Sequence, residues 1–172
     1  MRSRYSASGK PVFTSALLLC TALLMGSEQT TVRVEPTIPV GPRALEKQTE
    51  SAVVRDYLQA WQSLQVALQA NRSDLLNADF VGAAKEKLAA TIRDQQQLGI
   101  QTRYADTAHD VKIVFYSPEG LSVELLDTVE YDVQLFDHQK PQATHHVSAH
   151  YVSVLTPTEV RWEVRIFQAK PE

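Results

Sequence analysis

The chain has 172 residues, 44% of them hydrophobic and 22% charged, which suits one folded domain with chain to spare and excludes collagen-like, low-complexity and disulfide-dense architectures. Residues 1–43 carry five Lys/Arg and two Asp/Glu, whereas residues 44–172 carry twelve and eighteen, so the candidate folded part has a net charge of −6 and not the −3 of the whole chain. An acidic domain lacks the clustered cations that displace phosphate counterions, which excludes nucleic acid as an expected partner.

The N-terminus opens with Arg2, Arg4 and Lys10, continues through the uncharged run 12–25, and turns polar at Gly26, Ser27 and Glu28. Basic, apolar and polar zones in that order are the layout of a secretory signal. The run of fourteen residues is shorter than the roughly 20 that span hydrocarbon, so an anchor would recruit Pro11, Gly26 and Ser27 and thin the bilayer locally. Gly26 and Ser27 are small enough to precede a cut, but Leu24 and Met25 two positions upstream are bulky. Cleaved signal and retained membrane anchor both stay open for residues 1–27, with membrane contact through 11–27. Leu19 before Cys20 does not fit a lipoprotein signal. Either fate keeps the basic flank in the cytoplasm and places the rest of the chain outside it. Cys20 is the only cysteine, so the folded part needs no disulfide in an oxidising compartment. Pro36, Pro39 and Pro42 block helix and favour extended backbone, which predicts a tether over 28–44 with no packed element.

From Leu45 the pattern turns helical. Val54, Tyr57, Leu58, Trp61, Leu64 and Leu68 recur at helical spacing and predict a long helix over 45–70, ending near Asn71. Ser73 and Asp74 read as a new N-cap before Leu75 and Leu76. Asp79 can cap a further helix over 80–98, whose apolar stripe is Phe80, Ala84, Leu88, Ile92 and Leu98, with Gly99 as the stop.

After Gly99 the period becomes two. Residues 101–104 predict a short strand. Val111, Ile113 and Phe115 predict the inner face of the next, and Ser117–Gly120 reads as a type I turn. Val123, Leu125, Asp127, Val129, Tyr131, Val133 and Leu135 hold one face of a long strand. Asp127 interrupts that face, which predicts a bend or bulge there. A turn at 137–142 leads to a strand with His145, Val147, Ala149, Tyr151, Ser153 and Leu155 on one face. The last strand carries Val160, Trp162, Val164 and Ile166 inward and Phe167 outward. Hairpin-length connections make neighbouring strands antiparallel. Helices followed by such a sheet give an α+β fold over 45–172, with Trp61 and Tyr57 covering the apolar sheet face.

A long amphipathic helix with Tyr57 and Trp61, a helical pair ending at Gly99, and long strands closing on Arg161-Trp162-Glu163-Val164 resemble the nuclear transport factor 2-like (NTF2-like) superfamily over about 45–168. The likeness is nearer to its membrane-tethered, non-catalytic branch, such as the Tim44-like and plastid-division domains. It implies a cone in which a strongly curved antiparallel sheet wraps the N-terminal helices and leaves a cavity. It does not imply chemistry, since such folds host enzymes, ligand binders and dimerising adaptors alike.

If the cavity is open, a general base would draw on Asp127, Tyr131 and His145, because an apolar enclosure raises a carboxylate pKa or positions a neutral imidazole. Tyr57, Trp61, Tyr104, Tyr151 and Trp162 are the candidate cavity lining. The bland reading is that Asp127 marks a bend and the tyrosines pack with their hydroxyls reaching water. His145 and His146 point to opposite faces, and His146 and His150 lie about 13 Å apart at roughly 3.3 Å per residue, too far for one ion. No metal site and no cofactor is expected. Val152, Val154 and Phe167 are apolar on the nominally wet face and predict an interface with a protein partner or a second copy. Arg161 and Arg165 are expected to pair with Glu124 or Glu130 across strands. The expected function is an exported or membrane-tethered binding or scaffold domain, with a small-molecule-binding or enzymatic cavity as the alternative.

Overall fold

The computed structural model describes residues 30–36 and 43–170. The signal or anchor expected over residues 1–27 lies outside them. Among the described residues, no helix is long and apolar enough to cross a membrane.

The elements in chain order are β1 (Thr31–Val34), α1 (Lys47–Ala70), a 3-10 turn (Ser73–Leu76), α2 (Gly82–Leu98), β2 (Ile100–Tyr116), β3 (Val123–Asp137), β4 (Lys140–Pro157) and β5 (Trp162–Ala169). The strands form one sheet in the order β1-β2-β3-β4-β5. Strand β1 runs parallel to β2, and the remaining neighbours are antiparallel. The architecture is the predicted α+β one: helices gathered against one face of a curled sheet.

Helix α1 supplies the core. Val53, Val54, Tyr57, Ala60, Trp61, Leu64, Ala67 and Leu68 are buried at three- and four-residue spacing, one continuous stripe on a 24-residue helix. The helix stops where Asn71 turns left-handed, as α2 stops at the left-handed Gly99. The sheet answers with Val111, Ile113, Val123, Leu125, Val129, Leu155 and Val164.

Three expectations about boundaries are corrected. The segment 28–44 is not all tether, because Thr31–Val34 pairs with 108–111 of β2. Val32 and Val34 alternate with Thr31, Arg33 and Glu35, but the run is short and its side chains stay exposed; it is held by backbone bonds and by the pairs Arg33–Asp110 and Lys112–Glu35. Asp79 does not cap α2, which starts at Gly82 with Val81 as an uncapped N-cap. Instead Asp79 is buried and accepts hydrogen bonds from Ser63 and from Arg161, whose Nη1 lies 2.8 Å away. Arg161 is thereby taken by Asp79 and not by a cross-strand glutamate, and Phe80 leaves the helix to pair with Val164. Residues 101–104 and 111–116 belong to one strand, β2.

Bulges steer the sheet. Extra residues interrupt the register at Thr107 and Val114 of β2, at Gln142 of β4 and at Arg165 of β5. Each reverses which alternate side chains face the helices beyond it. Asp127 is not itself at a bulge; it pairs regularly with Val111 and Tyr151. The Val114 bulge turns Phe115 outward and brings Tyr116 in, while the Arg165 bulge turns Ile166 outward and buries Phe167. Phe167 is therefore core, 5.1 Å from Trp61 by ring centroid, and not part of an outer interface.

Candidate functional site

The expected interior is filled. Trp61 sits at its centre, with ring centroids at 5.5 Å from His109, 6.2 Å from Tyr131, 5.1 Å from Tyr151 and 5.1 Å from Phe167. Tyr151 stacks on Phe167 at 4.9 Å, and Tyr104 meets Tyr131 edge-on at 5.2 Å. Edge-to-face contacts at these separations are the favoured packing of aromatic quadrupoles. Tyr57 and Trp61 are sealed in this core, and Tyr104, Tyr151 and Trp162 pack at its margin, Trp162 at the start of β5, where its backbone N–H donates to Asp56 Oδ2 at 2.8 Å.

Within that packing lies one polar cluster. Asp127, 1% exposed, accepts hydrogen bonds at Oδ2 from the Tyr57 hydroxyl at 3.0 Å and pairs with His109 Nδ1 at 2.7 Å. The other ring nitrogen of His109 faces Asp106 Oδ2 at 3.4 Å. Burial by itself would lower the His109 pKa, but hydrogen bonds and charge from Asp106 and Asp127 outweigh it and raise the ring to about 9. His109 is therefore an imidazolium at neutral pH. Burial pushes the Tyr57 hydroxyl well above its ordinary value, reinforced by the adjacent Asp127 charge. Burial likewise raises Tyr104 and Tyr151, with Tyr131 adding to both. Among the described residues, Asp106 Oδ1 and Asp127 Oδ1 are buried without a hydrogen-bond partner.

The bulge at Thr107 makes the cluster. Without it, Asp106 and His109, three residues apart, would point to opposite faces of β2. With Thr107 looped out, its hydroxyl donating to the Glu130 carbonyl at 2.9 Å, Asp106 pairs with Tyr131 and His109 pairs with Val129, both on the inner face.

Of the residues expected to be catalytic, Asp127 and Tyr131 face the interior, but His145 does not join them. It is exposed, and six residues separate it from Tyr151, the β4 partner of Asp127, which is about 20 Å along a strand. His109 holds the position expected for His145. His146 pairs with Asp132 at 2.9 Å and His150 meets Thr128 at 3.0 Å, both on the exposed sheet surface.

A groove of about 630 Å³ runs between α1 and the β1–β2 edge, lined by Leu58, Gln62 and Gln65 on one side and by Thr30, Val32, Ala105, Asp106 and His109 on the other. None of the five residues expected to line a cavity belongs to it. On the opposite sheet face, Val152 and Val154 point outward as expected, and Leu126, Phe115 and Ile166 join them.

No protein-family profile matches the sequence, and no curated protein matches it. Solved structures do match. The intermembrane-space region of the chloroplast protein ARC6 superposes with a TM-score of 0.62 at 15% identity, covering 76% of this chain and all 100% of that one. A proposed scytalone dehydratase from Novosphingobium aromaticivorans gives a TM-score of 0.51 at 11% identity, covering 73% of this chain and 89% of its own. A proposed dehydratase of the NTF2-like family from Streptomyces avermitilis gives 0.50 at 11% identity, covering 71% and 98%. The chain has an NTF2-like fold, a fold shared here by a protein region without a stated activity and by proposed enzymes.

Proposed function

We propose that this chain is a docking domain that works through the outer face of its sheet, with a second copy of itself as the first partner to test. Residues 1–27 would deliver it outside the cytoplasm, cleaved or anchored. The observation that carries the reading is an apolar strip on that face. Phe115, Val154 and Ile166 lie in one ladder row with Glu124, and Leu126 and Val152 lie in the next, between Lys112 and Gln168. Phe115 is 38% exposed and the others are half-buried, so the strip is open to a partner. Apolar residues at the centre with Lys112, Glu124 and Gln168 around them match the core-and-rim composition of protein interfaces. A hollow of about 370 Å³ beside the strip, edged by Leu126, Thr128, His150 and Lys170, gives a partner side chain a place to insert. The aromatic packing around Trp61 points the same way, because it fills the position where the sequence predicted a cavity.

Sedimentation of the full chain over a wide concentration range tests this. The expected result is a monomer–dimer equilibrium that Val154→Lys abolishes and that Val66→Lys, an exposed position on α1, leaves intact. A chain that stays monomeric throughout, and that cross-linking in its host membrane fraction joins to no partner, overturns it.

A second reading is favoured by the Asp127–His109 pair. Asp127 orients the imidazole through Nδ1, the arrangement by which a carboxylate fixes a general acid or base. An activity unchanged by Asp127→Asn would remove that role.

A further inference from the structure

We propose that the groove between α1 and the β1–β2 edge binds a compact organic cation, an ammonium or guanidinium group carried on a short apolar body. The site lies on the helix side of the sheet, away from the proposed docking face, so either reading can fail alone.

The charge count comes first. The groove meets the Asp106–His109–Asp127 cluster at two of its members, Asp106 and His109. Two carboxylates face one imidazolium, so the cluster holds one negative charge in excess. Among the described residues, the groove lining offers no lysine or arginine to balance it. Neighbouring cations on β1 and β2 are engaged elsewhere among the described residues: Arg33 with Asp110 at 3.8 Å, Lys112 with Glu35 at 3.2 Å, and Arg103 over the Phe136 ring at 4.9 Å. Burying an unmatched charge is costly, and a cation arriving from outside removes that cost.

The hydrogen-bond count agrees. The Asp106 side chain is only 6% exposed, yet among the described residues its Oδ1 has no partner and its Oδ2 holds His109 at a loose 3.4 Å. The nearby Thr30 hydroxyl does not serve the carboxylate, since it donates to the Asp106 backbone carbonyl at 3.0 Å. An ionised carboxylate only accepts, so the group that completes it must donate. An ammonium or guanidinium both donates and carries the missing charge; an anion or a carbonyl does neither. The rest of the groove suits the body of such a ligand. Val32, Leu58 and Ala105 are apolar walls, and the Gln62 and Gln65 amides add acceptors at the rim. A volume of about 630 Å³ admits a small molecule or a single arginine or lysine side chain.

The full chain, titrated with agmatine or n-butylammonium and followed by the imidazole NMR signals of His109, tests the proposal. Saturable shifts are expected with both cations and not with n-butanol. Asp106→Asn is expected to weaken binding at least tenfold. Gln62→Lys, which sets a cation at the rim from an exposed helical position, is expected to do the same and decides the matter if Asp106→Asn does not fold. Acetyl-arginine methylamide distinguishes the source: binding tighter than agmatine assigns the cation to a partner peptide, and weaker binding to a free amine, either of which supports the site. Equal shifts with n-butanol, no saturable shift with either cation, or unchanged binding by folded Gln62→Lys overturns it.

Discussion

Raising the pH should unlock this domain from within. His109 is 2% exposed and its pKa is raised to about 9, against an ordinary value near 6.5 in the unfolded chain. A group whose folded pKa lies above its unfolded one contributes stability that is complete below the unfolded value and disappears as the pH rises through the folded value. The window is therefore about pH 6.5 to 9. Between pH 6 and pH 9.5 a shift of this size removes on the order of 3 kcal/mol. That is a large share of the roughly 5–15 kcal/mol that holds a domain together. Buried tyrosines do not interfere, because Tyr57, Tyr104 and Tyr151 are all raised from an ordinary value of about 10. Urea denaturation followed by tryptophan fluorescence reads the effect directly, since Trp61 lies 5.5 Å from the His109 ring. The midpoint should fall by about 1–3 M urea across the window. A midpoint that is flat, or that rises, from pH 6.5 to 9 would refute the assignment of His109 as a buried imidazolium.

Three further outcomes are expected. Tyr57→Phe removes a hydrogen bond to a buried carboxylate and should cost about 1–3 kcal/mol in the same urea assay, with the fold retained by circular dichroism. Phe167→Ala should cost about 3–5 kcal/mol, as a core aromatic does, and a cost near zero would return Phe167 to the outer face. Gly99→Ala should lower the thermal midpoint, because the residue holds φ +69 and a Cβ there would meet the His138 ring at 3.0 Å.

The helices were legible because α1 repeats its apolar residues over many turns and Asn71 and Gly99 are the residue types that tolerate a left-handed stop. The strand faces were legible only between bulges. A bulge depends on the partner strand, and nothing local to Val114 or Arg165 marks it, so plain alternation puts Phe115 inward and Phe167 outward, the reverse of where they lie. The same blindness hid the polar cluster. Asp127 stands out as a carboxylate on an apolar face, but regular alternation points to His145 as its partner, whereas the facing of His109 depends on the Thr107 bulge. One signal was available: the unassigned stretch 105–110 has a charged or polar residue at most positions, including Asp106, His109 and Asp110, yet joins two strand-like runs. Strand β1 leaves only a faint trace, the alternation of Val32 and Val34 with polar residues, too short to outweigh the prolines that follow it.

That same strand makes the domain mechanically uneven. Any tension carried by the residues before Thr30 arrives at β1 first, and β1 is fastened along one edge only, by ladder bonds and solvent-exposed ion pairs that are individually weak. The core carries none of that load until β1 has let go. Loss of such a strand would strip Thr30 and Val32 from the wall of the α1–β2 groove. A pull on the chain before Thr30 would thus be converted into the opening of that groove.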